Sequence, residues 1–311
     1  MPDTQIELQR WLSLPNVDTF PLDEVITEFR QVGKHFVTSE LLAALAEARA
    51  SLPEGADGLR RVLNTLLDKH DGRFDNPTYL ALHDLPLPTT AGGCPFDTAA
   101  AEQQCDRLIV LLIADVLRFE IAAYDGTTEL LPLMRPDKRT TAKRCTLGLR
   151  VLRTAMTRLG IDAASDTKDP IEAARELCAR VDQTTEEKHM LAVTLLTVST
   201  VHDEHLFVRM LQCYETTFSL VIVHLRAAMI AVRAGDAVRA TRMLRAAASA
   251  MDDASPLFSL VATMQPEAFM TFREYTDGAS AIQSRSYKTI ESLCRQPDPE
   301  RLAGPGYDAV P

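Results

Sequence analysis

From Glu186 to Arg233 the sequence keeps a helical pattern almost without pause, longer than one globular helix normally spans. A break is therefore expected at Ser199-Thr200-Val201-His202-Asp203, where Thr200 followed by Asp203 fits a capping box. Elsewhere the apolar residues recur at helical spacing, and alternating strand-like runs are hard to find. The chain reads as all-α, one domain over residues 1–311.

The remaining helices follow from the same pattern. Pro21 to Ala50 reads as one or two amphipathic helices, with Val25, Ile26 and Phe29 facing a core, and Leu59 to Leu67 as another. Asp97 or Thr98 can cap a long helix to Tyr124, ended by Asp125-Gly126. Thr140 to Leu159 stops at Gly160, and Asp169-Pro170 opens Ile171 to Val181. Gly235-Asp236 closes one helix and caps the next, and Gln265-Pro266-Glu267 starts another that Gly278 ends. Ser280 with Gln283 fits a capping box for a last helix to Arg295, and Asp298 to Pro311 is expected to be loosely ordered. Between Asp71 and Asp97, Gly72, Pro77, Pro86, Pro88, Gly92, Gly93 and Pro95 punctuate an irregular segment. Its Phe74, Tyr79, Leu80, Leu82, Leu85 and Leu87 predict a packed loop, and a loop this long in a compact protein is usually functional or disordered.

Charge and cysteine usage exclude several classes. A net charge of -10 lacks the basic footprint of a nucleic-acid binder. Cys94, Cys105, Cys145, Cys178, Cys213 and Cys294 form no CxxC pair, which predicts reduced thiols and a cytoplasmic protein. No signal peptide is visible at Met1, and uninterrupted apolar runs such as Leu108 to Ala114 are shorter than the ~18 residues of a membrane span.

Three places offer chemistry. His202 falls at a helix start, where the dipole disfavours imidazolium and leaves the neutral ring that an iron ligand or a base needs. The competing reading of His202-Asp203-Glu204-His205 is a helix start decorated with polar residues; the two histidines are three apart, so HExxH zinc chemistry does not fit. Arg273, framed by Phe269, Phe272 and Tyr275, suits bidentate recognition of a carboxylate, against a surface arginine paired with Glu267 or Glu274. His83 lies in the proline-punctuated segment, where functional residues concentrate, against a packed loop histidine bonded to Asp84. His35, His70, His189 and His224 read as structural or solvent-facing, and Cys213 and Tyr214 as packing residues.

The motifs His202-Asp203-Glu204-His205-Leu206-Phe207, Gln212-x-Tyr214-Glu215-x-x-Phe218, Phe269-x-x-Phe272-Arg273-Glu274-Tyr275, Ala279-Ser280-x-x-Gln283-Ser284 and Tyr287-x-x-Ile290-Glu291 together resemble the tryptophan 2,3-dioxygenase family of histidine-ligated heme enzymes. The resemblance implies an all-α bundle enclosing heme b. It implies His202 on the substrate side, Arg273 on the substrate carboxylate, and Phe269, Tyr275 and Ser280 in the pocket. The family's histidine motif lies near the N-terminus, whereas about two hundred residues precede it here. Thr217 replaces the tryptophan of the family's Tyr-Glu-x-Trp-Phe pattern, and Ala281-Ile282 the Gly-Phe before Gln-Ser. No histidine follows His224, so a second heme histidine is expected upstream, and His83 is the choice. Which of His202 and His83 binds iron and which acts as acid/base stays open.

In length and motif order the chain looks more like the bacterial heme-dependent L-tyrosine hydroxylases of natural-product pathways. That resemblance implies hydroxylation of L-tyrosine at ring C3 to L-DOPA with hydrogen peroxide, in a homo-oligomer. The alternatives are O2-dependent indole cleavage of the dioxygenase type and a heme-binding helical protein without catalysis.

Overall fold

The computed structural model describes residues 2–88, 98–279, 283–296 and 298–304. The helices are α1 (Pro2–Ser13), α2 (Leu22–Val32), α3 (Ser39–Ala50), α4 (Asp57–Leu66), α5 (Asn76–Tyr79), α6 (Thr98–Tyr124) and α7 (Lys138–Arg158). After them come α8 (Pro170–Ala179), α9 (Thr185–Val193), α10 (Asp203–Arg233), α11 (Ala237–Val261), α12 (Pro266–Arg273), α13 (Arg285–Cys294) and α14 (Pro299–Leu302). Among the described residues no strand forms; one isolated parallel bridge joins Leu133 to Val201. The all-α expectation holds.

Local chemistry fixes most helix starts. The side chains of Thr38, Asp137, Asp169, Thr184, Asp236 and Ser284 each accept a hydrogen bond from a first-turn N–H of α3, α7, α8, α9, α11 and α13. Pro170 and Pro266 occupy the first turns of α8 and α12, where a missing N–H costs nothing.

The central bundle is α6, α7, α10 and α11, with α8 on α6 and α7 and with α12 and α13 on α10. Its core runs through Leu108 to Leu117 of α6, Leu152 and Met156 of α7, Leu206, Met210 and Cys213 of α10 and Leu257 and Leu260 of α11. Gly148 lets α7 approach α6 closely, since a Cβ there would sit 2.8 Å from a Leu117 methyl. By length and mean hydropathy (1.4) α10 could cross a membrane, but 67% of its most apolar window is buried inside the protein. It is a core helix here.

Helices α1 to α4 build a second core around Leu8, Trp11, Phe29, Leu41, Leu45 and Leu63, joined to the chain ahead of α10 through Val193 and Leu196. Helix α1 is absent from the sequence expectations; burial of Leu8 and Trp11 orders it, and Trp11 Nε1 donates to Asn16 O at 2.6 Å. Lys34 N donates to Thr197 O (2.8 Å) and His35 N to Val198 O (3.1 Å), so this layer grips the segment ahead of α10.

Four boundary expectations need correction. The break ahead of α10 is real, but His202, in helical conformation, is the residue before its first turn and no side chain caps it. The Thr200–Asp203 box does not form because Arg144 and Gln265 take the Asp203 carboxylate. Helix α12 ends at Arg273, and Gly278, at φ +82°, shapes the turn beyond it. Helix α13 starts behind Ser284, whose Oγ accepts from Tyr287 N at 3.1 Å; Ser280, the expected cap, lies outside the described residues. Of the punctuated segment, residues 71–88 are packed as expected, with Tyr79, Leu80 and Leu85 buried, while 89–97 fall outside the described residues.

Candidate active site

The His202-Asp203-Glu204-His205 motif is wholly buried, which removes the reading of a polar-decorated helix start. Each of its side chains reaches a different element. His202 Nε2 lies 3.3 Å from Glu120 Oε1 of α6 without meeting hydrogen-bond geometry, its Nδ1 has no hydrogen-bond partner among the described residues, and its ring stacks on Phe119 at 4.7 Å. Asp203 Oδ1 accepts from Arg144 Nη2 (2.8 Å) and Oδ2 from Gln265 N (2.7 Å), the residue just ahead of α12. Arg144, fully buried, also donates to Glu120 Oε1 at 2.8 Å and to the hydroxyl and carbonyl of Thr263. His205 stacks flat on Phe119 at 4.2 Å with its Nε2 3.4 Å from Asp115 Oδ2. One turn on, Arg209 Nε donates to the same carboxylate at 2.7 Å.

Glu204 closes the break itself. Its carboxylate accepts from Val198 N (2.5 Å), Ser199 N (3.0 Å), Ser199 Oγ (2.7 Å) and Tyr79 Oη (3.1 Å) of α5. Burial pushes its pKa up to about 7 against the pull of these donors. Burial lowers the pKa of His205, which favours a neutral ring. Burial alone would raise Asp115 and Glu120, but the Arg209 guanidinium with His205 for the first, and His202 with Arg144 for the second, hold both below the ordinary carboxylate range.

Farther along, α10 carries a different surface. Phe207, Leu211, Tyr214 and Phe218 recur at helical spacing along one face. Phe207, Leu211 and Phe218 are only half-buried, and the buried Tyr214 hydroxyl has no hydrogen-bond partner among the described residues. Phe207 is the hinge of this face. It packs with Phe269 (5.7 Å) and Phe272 (5.3 Å) of α12, and it shares a cluster with Tyr79, Leu80, Leu82, Tyr275 and Ala279. Farther along, Tyr214 meets Phe258 at 4.9 Å and Phe218 meets Tyr287 at 5.7 Å. Arg273 is exposed at the near end, its guanidinium 5.4 Å from the centre of the Phe269 ring. The Tyr275 ring contacts His35 (4.8 Å) and the half-exposed Phe36 (5.0 Å).

The structure thus brings Phe269, Arg273 and Tyr275 to one edge of the aromatic face. His83 joins them by position: it is exposed on the short turn Leu82–Asp84, and Leu82 packs on the Phe207 cluster. His202 is not brought there. It points toward α6, while Phe207, five residues on, lies about 140° round the helix. Ser280 lies outside the described residues, between Ala279 in the Phe207 cluster and Ser284, which donates to Glu215 of α10. Sequence reasoning missed Phe207 and Leu211 as site residues, although their spacing with Tyr214 and Phe218 was visible. It also missed Arg144 and Glu120, which nothing local marks. Cys105, Cys145, Cys178 and Cys213 are buried and free.

A cavity of about 490 Å3 lies away from this face, between α6, α7, α10 and α11. Thr217 lines it, so the small side chain at that position widens this cavity. Beside His205 and Phe119 the space is only about 10 Å3.

Residues 179–303 match the family profile described as tryptophan 2,3-dioxygenase. The protein of that name from Paraburkholderia phytofirmans is 34% identical over 92 residues, 30% of this chain and 30% of that one. The one from Ruegeria pomeroyi is 36% identical over 96 residues (30% and 34%), and the one from Anaeromyxobacter dehalogenans 29% over 114 (35% and 43%). The chain therefore spans between 30% and 43% of the length of these relatives. No solved structure is a significant match. The likeness to tryptophan 2,3-dioxygenases covers the part of the chain that holds α10, α12 and the aromatic face between them.

Proposed function

We propose that this chain is a heme-dependent oxygenase of aromatic amino acids, and that its reaction is hydroxylation of L-tyrosine at ring C3 to L-DOPA with hydrogen peroxide. The observation that carries the reading is the half-buried aromatic face of α10, with the partnerless buried hydroxyl of Tyr214 in it and an exposed arginine at its end. A flat apolar macrocycle fits such a face, which in a water-filled protein would be an unfavourable exposure. The printed names of the relatives, which describe oxygenation of an aromatic amino acid, point the same way.

His83 is the imidazole we assign to the iron of heme b, because it is exposed on a turn anchored to that face. Heme b, when bound, supplies the oxidising chemistry. Arg273 forks onto the substrate carboxylate, with the Phe269 ring beneath its guanidinium limiting its hydration. Phe207, Phe269 and Tyr275 supply the apolar wall for the substrate ring and exclude water. Burial pushes the Tyr214 phenol up, so it keeps its proton and remains a donor. His202 acts as a positioning residue in the Glu120–Arg144–Asp203 network that sets the start of α12 and hence Arg273.

The test is the absorption spectrum of purified protein supplied with hemin, then tyrosine, then peroxide, with catechol as the product sought. A Soret band that His83→Ala abolishes, and catechol formation, are expected. Arg273→Ala should raise the KM for tyrosine by about tenfold to a hundredfold, the worth of hydrogen bonds to a charged group, and leave the Soret band in place. A wild-type protein that takes up no hemin sinks the reading. Ring-opened product from tryptophan, with tyrosine inert, replaces it by the dioxygenase reaction.

A further inference from the structure

The 490 Å3 cavity has the size of a small-molecule site and lies on a face of α10 neighbouring that of the aromatic residues. His224, which lines it, is 17 residues beyond Phe207, about 25 Å along the helix. Its walls are apolar at Ile109, Val151, Leu220 and Leu257. Its polar groups are unevenly matched. Arg158 grips Asp106 through Nε (2.8 Å) and Nη2 (2.6 Å), and Asp253 through Nη1 (2.5 Å). Those three satisfy one another.

Glu102 and His224 are left over. Glu102 Oε1 stands 3.4 Å from His224 Nε2, and the His224 ring is 1% exposed with no hydrogen-bond partner for Nδ1 among the described residues. A buried imidazole nitrogen without a partner costs free energy, and the ring that carries it lines the cavity. The three carboxylates outnumber the single guanidinium, so the cavity favours a cation. An anion would meet Glu102 and Asp106 together.

We propose that this cavity is a second binding site, which takes a small organic ammonium ion with an apolar body. The ammonium donates to the Glu102 carboxylate and to an imidazole nitrogen of His224, and the apolar part lies against Ile109, Leu220 and Leu257. Burial and the neighbouring Asp106 push Glu102 above its ordinary range, and an ammonium beside it relieves both effects. None of the residues that line this cavity is among those assigned to oxygenation, so the two assignments are tested separately.

The experiment is titration calorimetry of the purified 311-residue protein with phenethylamine, hydrocinnamate and phenethyl alcohol, paired with NMR of the His224 ring nitrogens. Phenethylamine is expected to bind at one equivalent and to shift the His224 signals, with the anion and the alcohol weaker by about tenfold or more. Glu102→Gln should weaken it by a similar factor, Ala254→Phe should abolish it by filling the cavity, and Arg273→Ala should leave it unchanged. Glu102 is half-exposed, so its variant reports even if Ala254→Phe fails to fold. The proposal is overturned if phenethylamine does not bind, if Glu102→Gln binds it as well as wild type, if the three probes bind alike, or if Arg273→Ala rather than Glu102→Gln removes binding.

Discussion

Asp115 shows what a single side chain contributes to this fold. Its carboxylate holds Arg209 and faces His205, both on the first turns of α10, and sits below the ordinary carboxylate range because of them. The folded state therefore keeps the anion where the unfolded chain would take up a proton. The stability it contributes is present above about pH 4 and is lost as pH falls toward the folded-state value. Glu120, lowered beside His202 and Arg144, acts with the same sign. Thermal melts between about pH 5 and pH 2 should show a steep loss of Tm in the wild type and a shallower one in Asp115→Asn; parallel curves would remove Asp115 from this account. Which histidine matters was legible only in part. The residue types in His202-Asp203-Glu204-His205 announce chemistry, but types do not say which way a side chain points, and all four are buried against neighbouring elements. Arg273 was readable because its aromatic neighbours lie within one helix turn of it in sequence.

The elements that meet α10 are set by that buried motif. Asp203 holds the residue just ahead of α12, Glu204 holds α5 and the preceding break, and His205 with Arg209 holds α6. The pivot of this arrangement is Arg144 on α7, which has Glu120 on one side and Asp203 on the other. Removing it leaves two buried carboxylates unpaired, a change that typically costs about 3–5 kcal/mol. Arg144→Met should lower the denaturant midpoint accordingly. Hydrogen exchange across residues 266–273 should quicken more than in α11, and uniform quickening would mean that α12 has no special dependence on the pivot. Helix extents were largely legible, because capping residues and prolines act within a few positions of the ends they fix. The Thr200–Asp203 capping box failed for a reason outside that range: Asp203 is claimed by Arg144, 59 residues earlier in the chain. Ser284 rather than Ser280 caps α13, with Glu215 of α10 as its side-chain acceptor.

On the scale of the whole molecule, two cores meet where the N-terminal layer presses on the segment ahead of α10. Gly33 makes that contact possible. At φ +85° it sits so close to Ser199 that a Cβ would lie 2.7 Å from its Cα, a backbone atom that cannot step aside. Gly33→Ala should cost about 2 kcal/mol or more from the left-handed backbone and the overlap together, read as a lower denaturant midpoint. Unchanged stability would mean that the layer does not press there. Periodicity and caps, read from the sequence alone, were enough to establish an all-α chain with a broken helix near residue 200, because both signals are local. So was the location of Arg273 among aromatics. Only the tertiary structure decided that His202 faces α6 while Phe207 faces α12, that Arg144 joins them, and that His224 opens on a cavity of its own. These depend on which helices pack together, and ion pairs and close contacts between residues far apart in sequence leave no periodic mark on it.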